Sequence, residues 1–289
     1  MKKILITGSN GQLGRALRSL FENATEYQLI NTDFGVEGIK DLDITNLDAV
    51  YAMLKETSPY AVINCAAHTN VDGCEVQKDL AYKINAIGPR NLAIAAAHTG
   101  AKLVHISTDY VFSGDGTRPY TEFDAPAPKA MYGITKLCGE DFVRQFAKDF
   151  FIIRTAWLYG DGKNFVKTML RLSETRDEIS VVSDQIGSPT SAAELARAIL
   201  ALLPTDNYGI FHGTCEGQCS WADFAQKIFS LKGCGTKVLG ITSEEYKKNN
   251  PASADRPKYS VLDNYMLRLT GSYTFADWEK AVTEYMKDM

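Results

Sequence analysis

The sequence has no long run of Lys or Arg, and a net charge of -4 over 289 residues leaves no electrostatic footprint for nucleic acid. It has no apolar segment approaching the length of a membrane span. Lys2 and Lys3 do precede an apolar stretch, but it stops at Gly8 and reads as a buried strand rather than an export signal. The six cysteines, Cys65, Cys74, Cys138, Cys215, Cys219 and Cys234, never take the CxxC spacing of a zinc or thioredoxin site. Their simplest reading is buried or incidental thiols. Repeats, low-complexity tracts and long linkers are missing too. What is present is a chain with 45% hydrophobic residues, enough for one large body with a smaller appendage. It is expected to work in the cytoplasm, without nucleic acid, membrane or metal.

The N-terminal half alternates short apolar runs with longer amphipathic ones. Strands are expected from Lys3 to Thr7, Gln28 to Thr32, Ala61 to Asn64, Lys102 to Ser107 and Phe151 to Thr155. Helices are expected between them, over Gln12 to Glu22, Leu47 to Lys55, Leu80 to His98 and Met131 to Phe146. Strands apolar on both faces and separated by helices describe a parallel sheet covered on both sides, a doubly wound Rossmann-type α/β domain over residues 1–157. Beyond Trp157 the elements shorten, with helices expected at Phe165 to Ser173, Ala192 to Leu203, Trp221 to Leu231 and Phe275 to Met286. Residues 158–289 read mainly as a smaller α/β substrate domain, part of 184–210 returning to the sheet.

Immediately after the first strand stands Gly8-Ser9-Asn10-Gly11-Gln12-Leu13-Gly14, a GxxGxxG loop opening into a helical pattern. One glycine permits the tight turn, one lets a pyrophosphate approach the backbone, and one lets helix and strand pack closely. A lone glycine-rich loop is also an ordinary turn; the order strand, loop, helix is what favours a dinucleotide. Asp33, nineteen residues beyond Gly14, ends the second strand where a carboxylate accepts from the adenosine ribose hydroxyls. A turn-forming Asp beside Gly35 is the plainer alternative. No Arg or Lys adjoins it to welcome a 2′-phosphate, so NADH is favoured over NADPH.

Tyr132 and Lys136 form a YxxxK pair whose i, i+4 spacing puts both side chains on one helix face. A free tyrosine titrates near pH 10, and a close ammonium is expected to favour its phenolate and bring that value down. The spacing alone equally describes a solvated helix face. Ser107-Thr108-Asp109 adds weight, because it ends the fourth strand, and ligands of open α/β sheets bind at the carboxyl ends of strands. Thr108 is placed to touch a carbonyl oxygen while Tyr132 protonates it. Capping the strand end is its other reading.

GxxGxxG, a strand-end Ser-Thr and YxxxK, in this order, resemble the extended short-chain dehydrogenase/reductase superfamily, whose members act on nucleotide sugars. Asn64-Cys65-Ala66-Ala67-His68-Thr69 with Val71-Asp72, Ser107 to Phe112, and Asp184-Gln185-Ile186-Gly187-Ser188-Pro189-Thr190 narrow the resemblance to the dTDP-4-dehydrorhamnose reductase family, from Lys3 to about Trp278. The resemblance implies NAD(H) or NADP(H) as cofactor, with Gly11, Gln12 and Leu13 under the pyrophosphate and Asp33 on the ribose. Asp43 and Ile44 would lie beside the adenine, and Ala66, Ala67, His68 and Thr69 along the cofactor. His68 also reads as a hydrogen-bonded structural histidine and is given no acid–base role. Thr108, Asp109, Tyr132 and Trp157 would face the sugar nucleotide, although Trp157 fits interdomain core nearly as well. Arg256 would meet the diphosphate, or else form a structural ion pair.

The implied reaction is reduction at C4 of dTDP-4-dehydro-L-rhamnose, with Thr108, Tyr132 and Lys136 as the catalytic group. A dehydratase or epimerase on the same fold is the near rival. Dehydratases of the superfamily carry Thr-Asp-Glu, and Tyr110 stands here in the Glu position. A non-catalytic regulatory subunit, like that of methionine adenosyltransferase, is the rival of another class. The cation at Arg15 argues against assembly through a carboxylate-bound metal near the first helix, leaving monomer or homodimer open.

Overall fold

The computed structural model describes residues 1–22 and 24–289. Its elements run β1 (Lys2–Thr7), α1 (Gln12–Phe21), β2 (Tyr27–Asp33), β3 (Lys40–Asp41), α2 (Leu47–Thr57), β4 (Ala61–Asn64), α3 (Val71–Val76), α4 (Lys78–Tyr82), α5 (Gly88–Thr99) and β5 (Lys102–Thr108). Then come α6 (Met131–Phe146), β6 (Phe150–Thr155), β7 (Leu158–Tyr159), α7 (Phe165–Ser173), β8 (Glu178–Val182), β9 (Ile186–Gly187), β10 (Thr190–Ser191) and α8 (Ala192–Leu202). The chain closes with β11 (Gly209–His212), β12 (Cys219–Ser220), α9 (Trp221–Lys232), β13 (Lys237–Ile241), α10 (Ser243–Asn249), α11 (Tyr265–Thr270) and α12 (Trp278–Tyr285).

Seven strands form one sheet in the order β11-β6-β5-β4-β1-β2-β3, every neighbouring pair parallel. Ile4, Leu5 and Ile6 of β1 and Ala61, Val62 and Ile63 of β4 are fully buried, as strands covered by helices on both faces require. One core packs α1 and α8 against one face; the other packs α2, α5 and α6 against the opposite face. The strand order reverses between β1 and β4, and the crevice at such a switch point is where open α/β sheets bind ligands.

The chain beyond Trp157 rejoins this body through α8, which packs on α1, and through β11, which extends the sheet beside β6. Of the 184–210 segment expected to return, α8 lies inside it, whereas the returning strand Gly209–His212 runs past its end. The remaining C-terminal elements include the parallel pair β8 and β13 and the antiparallel pair β9 and β12. Among the described residues, no helix is long and apolar enough to cross a membrane. All six cysteines are free thiols.

The helix expected from Leu80 to His98 is broken. A single π turn over Lys83–Ile87 separates α4 from α5. Pro89 has no N–H to give the carbonyl four residues before it, so a regular α-helical bond is missing there. The turn presents Asn85, which is fully buried and bonds both the N–H and the carbonyl of His68, and also the Thr135 hydroxyl on α6. The last helix starts at Trp278 rather than Phe275, because the Asp277 carboxylate caps it through the Glu279 N–H at 2.8 Å.

Candidate active site

A cavity of about 770 Å³ opens over the carboxyl ends of β1, β4, β5 and β6. The glycine loop forms its floor. Gly8 has φ +62°, a left-handed conformation that favours glycine, and a Cβ on Gly14 would sit 2.5 Å from the Gly8 carbonyl. Strand and helix therefore meet with no room for a side chain. No side chain caps α1, so its first-turn N–H groups face the cavity with the positive end of the helix behind them. The Gln12 Oε1 atom, buried there, also has no partner. This is a cradle for a diphosphate, and the residues present fit the dinucleotide that the loop implies.

Asp33 stands at the lip of the cradle. Its carboxylate accepts from the backbone N–H of Asn10 and of Phe34, each at 2.9 Å, and so braces the loop while keeping lone pairs for a ribose. Leu13, Asp43, Ile44, Ala66, Ala67 and Thr69 line the same cavity. Asn10 and His68 do not. The Asn10 side chain accepts from Arg15, and the His68 backbone is held by Asn85. Arg15 itself pairs with Asp161.

The reacting groups come from β5 and α6. The Thr108 hydroxyl donates to the Asp109 carboxylate at 2.9 Å, accepts from the Tyr110 N–H at 3.2 Å, and lies in hydrogen-bond reach of the Tyr132 phenol. Asp109 is almost wholly buried; desolvation pushes its carboxyl up to about 6 against the bonds from Ser260 and Thr108, and its Oδ2 atom has no partner. Burial, then the Asp109 charge, raise the Tyr132 phenol above its ordinary value. The lowering expected from Lys136 is absent, and its ammonium donates to the Ile106 carbonyl at 2.6 Å. Desolvation brings Lys136 down to about 8, with Glu140 opposing.

Trp157 adopts a left-handed φ of +47°, uncommon outside glycine, and stacks flat on Trp221 with centroids 3.6 Å apart. Its indole lies so close to Gly187 that a Cβ there would meet it at 2.5 Å, which accounts for the glycine in the Asp184–Thr190 stretch. Both tryptophans line the cavity. Arg256 lines a second cavity of about 500 Å³ that shares Tyr110 with the first. There Arg256 pairs with Asp72 at 3.2 Å and also bonds the Ser253 hydroxyl.

Cavity residues that sequence reasoning missed include Phe34, Thr155, Lys163 and Trp221. Only Trp221 carried a local signal. Ser220 and Asp223 form a capping box that fixes Trp221 as the first residue of α9.

The model of the family described as RmlD substrate binding domain matches residues 1–289. A Clostridium acetobutylicum dTDP-4-dehydrorhamnose reductase of known structure is 53% identical, with a TM-score of 0.93 over 99% of this chain and 98% of that one. The Bacillus anthracis dTDP-4-dehydrorhamnose reductase, solved in complex with NADP, is 46% identical with a TM-score of 0.93 and full coverage of both chains (100%). The Bacillus subtilis spore coat polysaccharide biosynthesis protein SpsK is 43% identical over 289 residues, covering 100% of this chain and 98% of that protein. With that fold, a dinucleotide cradle and this match along its whole length, the chain belongs to the RmlD family, that of the dTDP-4-dehydrorhamnose reductases, and is an NAD(P)H-dependent oxidoreductase.

Proposed function

We propose that the chain reduces the C4 ketone of dTDP-4-dehydro-L-rhamnose to give dTDP-L-rhamnose, with Thr108, Tyr132 and Lys136 as its catalytic residues. The observation that carries this reading is one cavity holding the diphosphate cradle at one end and the Thr108, Tyr132 and Lys136 side chains at the other. NADH or NADPH supplies the hydride when bound.

The Tyr132 phenol holds its proton at neutral pH because burial disfavours the phenolate, and it releases that proton only to a stronger base. An oxygen gaining alkoxide character is such a base, so proton transfer is reserved for the reacting ketone. Lys136 spends one of its three donors on Ile106 and keeps two, which suit a ribose hydroxyl and the phenol oxygen. Thr108 orients the ketone beside Tyr132 when its one hydroxyl proton turns from the Asp109 carboxylate to the ketone oxygen. The stacked Trp157 and Trp221 offer a flat apolar wall to a deoxysugar. Arg256, now paired with Asp72, would meet the nucleotide diphosphate from the second cavity, whose cations and carboxylates balance. Residues 158–289, apart from the returning α8 and β11, act as the substrate domain, and the reaction takes place in the cytoplasm.

With Tyr110 rather than a carboxylate following Asp109, elimination of water lacks its second acidic group. Cofactor is then consumed in proportion to product. Incubation with dTDP-4-dehydro-L-rhamnose and limiting NAD(P)H should oxidise about one mole of cofactor per mole of dTDP-L-rhamnose, as the balance of a two-electron reduction requires. Complete conversion on catalytic cofactor would refute the reading, and inertness toward a panel of keto-sugar nucleotides would favour a binding subunit.

A further inference from the structure

Beneath the reacting groups lies a buried ion pair. Glu140 is fully buried one turn along α6 from Lys136, on the face that also carries Tyr132. Its Oε1 atom accepts from the Ser107 hydroxyl at 2.5 Å and from Arg154 Nε at 2.9 Å. Its Oε2 atom accepts from Arg154 Nη2 at 2.6 Å. Ser107 immediately precedes Thr108 at the end of β5, and Arg154 on β6 precedes the turn to Trp157. One carboxylate thus ties together the three segments from which Thr108, Tyr132 with Lys136, and Trp157 project.

A buried pair of this kind gives little net stability, since removing two charges from water roughly offsets their attraction. Bundled apolar side chains would hold the same elements together at least as well. What apolar residues would not do is act on Lys136, a cation drawn into a desolvated site. The titratable groups that bear on Lys136 are Glu140 on its own helix, Cys65 after β4, and His105 of β5. Arg154 bears on it through Glu140. His105 is held neutral by burial and by Lys136, and burial keeps the Cys65 thiol protonated. Glu140 is therefore the anion of this set.

Resting on the reductase reading above, we propose that Glu140 is a positioning residue of the reaction: it locks the Thr108 strand end and β6 to the Tyr132–Lys136 helix and sets a carboxylate one helical turn from the Lys136 ammonium. Ser107 and Arg154 complete the device by fixing the two carboxylate oxygens in one orientation.

The test is the pH profile of kcat/KM for E140Q, which keeps the shape and an acceptor for Ser107 but loses the charge. The ammonium is the working form, so activity falls as pH rises through the Lys136 value. Without the neighbouring anion the ammonium is disfavoured, and the alkaline limb should move toward acid by about one pH unit. Removing one partner of a buried pair also risks the fold. The double variant E140Q/R154M removes both charges together and is expected to fold; because losing the Arg154 cation relieves Lys136 in part, it should show a smaller displacement in the same acid direction. NADPH binding by fluorescence serves as the control for an intact cradle in both. A loss of rate equal at every pH, with the limb unmoved or moved to alkali in the folded variant, overturns the proposal and leaves Glu140 a brace. Wild-type chain run beside it on the same keto-sugar separates the two readings, since wild type inactive at every pH refutes the reductase assignment and, with it, this role.

Discussion

Replacing Tyr132 by Phe removes one hydroxyl and nothing else. The ring keeps its edge-on contact with Tyr110, with centroids 5.4 Å apart, so the cavity wall stands. Losing the phenol's contact with Thr108 costs at most about 0.5–1.5 kcal/mol net, which lowers Tm by only a few degrees, roughly 2–4 °C per kcal/mol in a large domain. Loss of a positioned proton donor reduces the rate by about a hundredfold to ten-thousandfold. At about 1.36 kcal/mol per tenfold, that is roughly 2.7–5.4 kcal/mol of barrier, above anything the stability change accounts for. The assay is NAD(P)H absorbance with saturating keto-sugar nucleotide, beside a melting curve and a cofactor titration on the same protein. A variant with near-normal kcat would show that another group protonates the ketone. A large fall in Tm with the rate loss would show that the hydroxyl is structural.

Two further substitutions probe the cofactor end. Gly14→Ala puts a Cβ 2.5 Å from the Gly8 carbonyl and 2.6 Å from the Ser9 Cα, backbone atoms that cannot swing aside. It should destabilise the chain by about 1–3 kcal/mol, read by melting, and weaken NADPH binding; unchanged Tm and Kd would mean that helix and strand are not in contact there. Asp33→Asn removes a negative charge beside the ribose while keeping one acceptor oxygen for the loop N–H groups. The ratio of kcat/KM for NADPH over NADH should rise by about tenfold, the relief of like-charge repulsion with a 2′-phosphate. An unchanged ratio would place the discrimination elsewhere.

The parts of this site legible in the sequence are those that short-range rules control. Gly8, Gly11 and Gly14 are set by a turn and a close contact within one strand-loop-helix unit, and Tyr132 and Lys136 share a face because four residues make about one helical turn. Thr108 was legible because β5 ends there, and strand ends are where open sheets bind. Tertiary structure decided what those groups do. Lys136 bonds the Ile106 carbonyl, thirty residues earlier in the chain, and does not lower Tyr132 as spacing alone suggested. Pro89 marks the break in the helix locally, but the partners that Asn85 meets in the π turn, His68 and Thr135, arrive from other elements. Trp157 meets Trp221, and Glu140 meets Ser107 and Arg154, only once β5, β6, α6 and α9 are packed. Periodicity and turn chemistry act over a few residues and are written locally. Burial, charge partners and the values at which groups titrate depend on which distant residues share a desolvated space, and that is settled only when the chain folds.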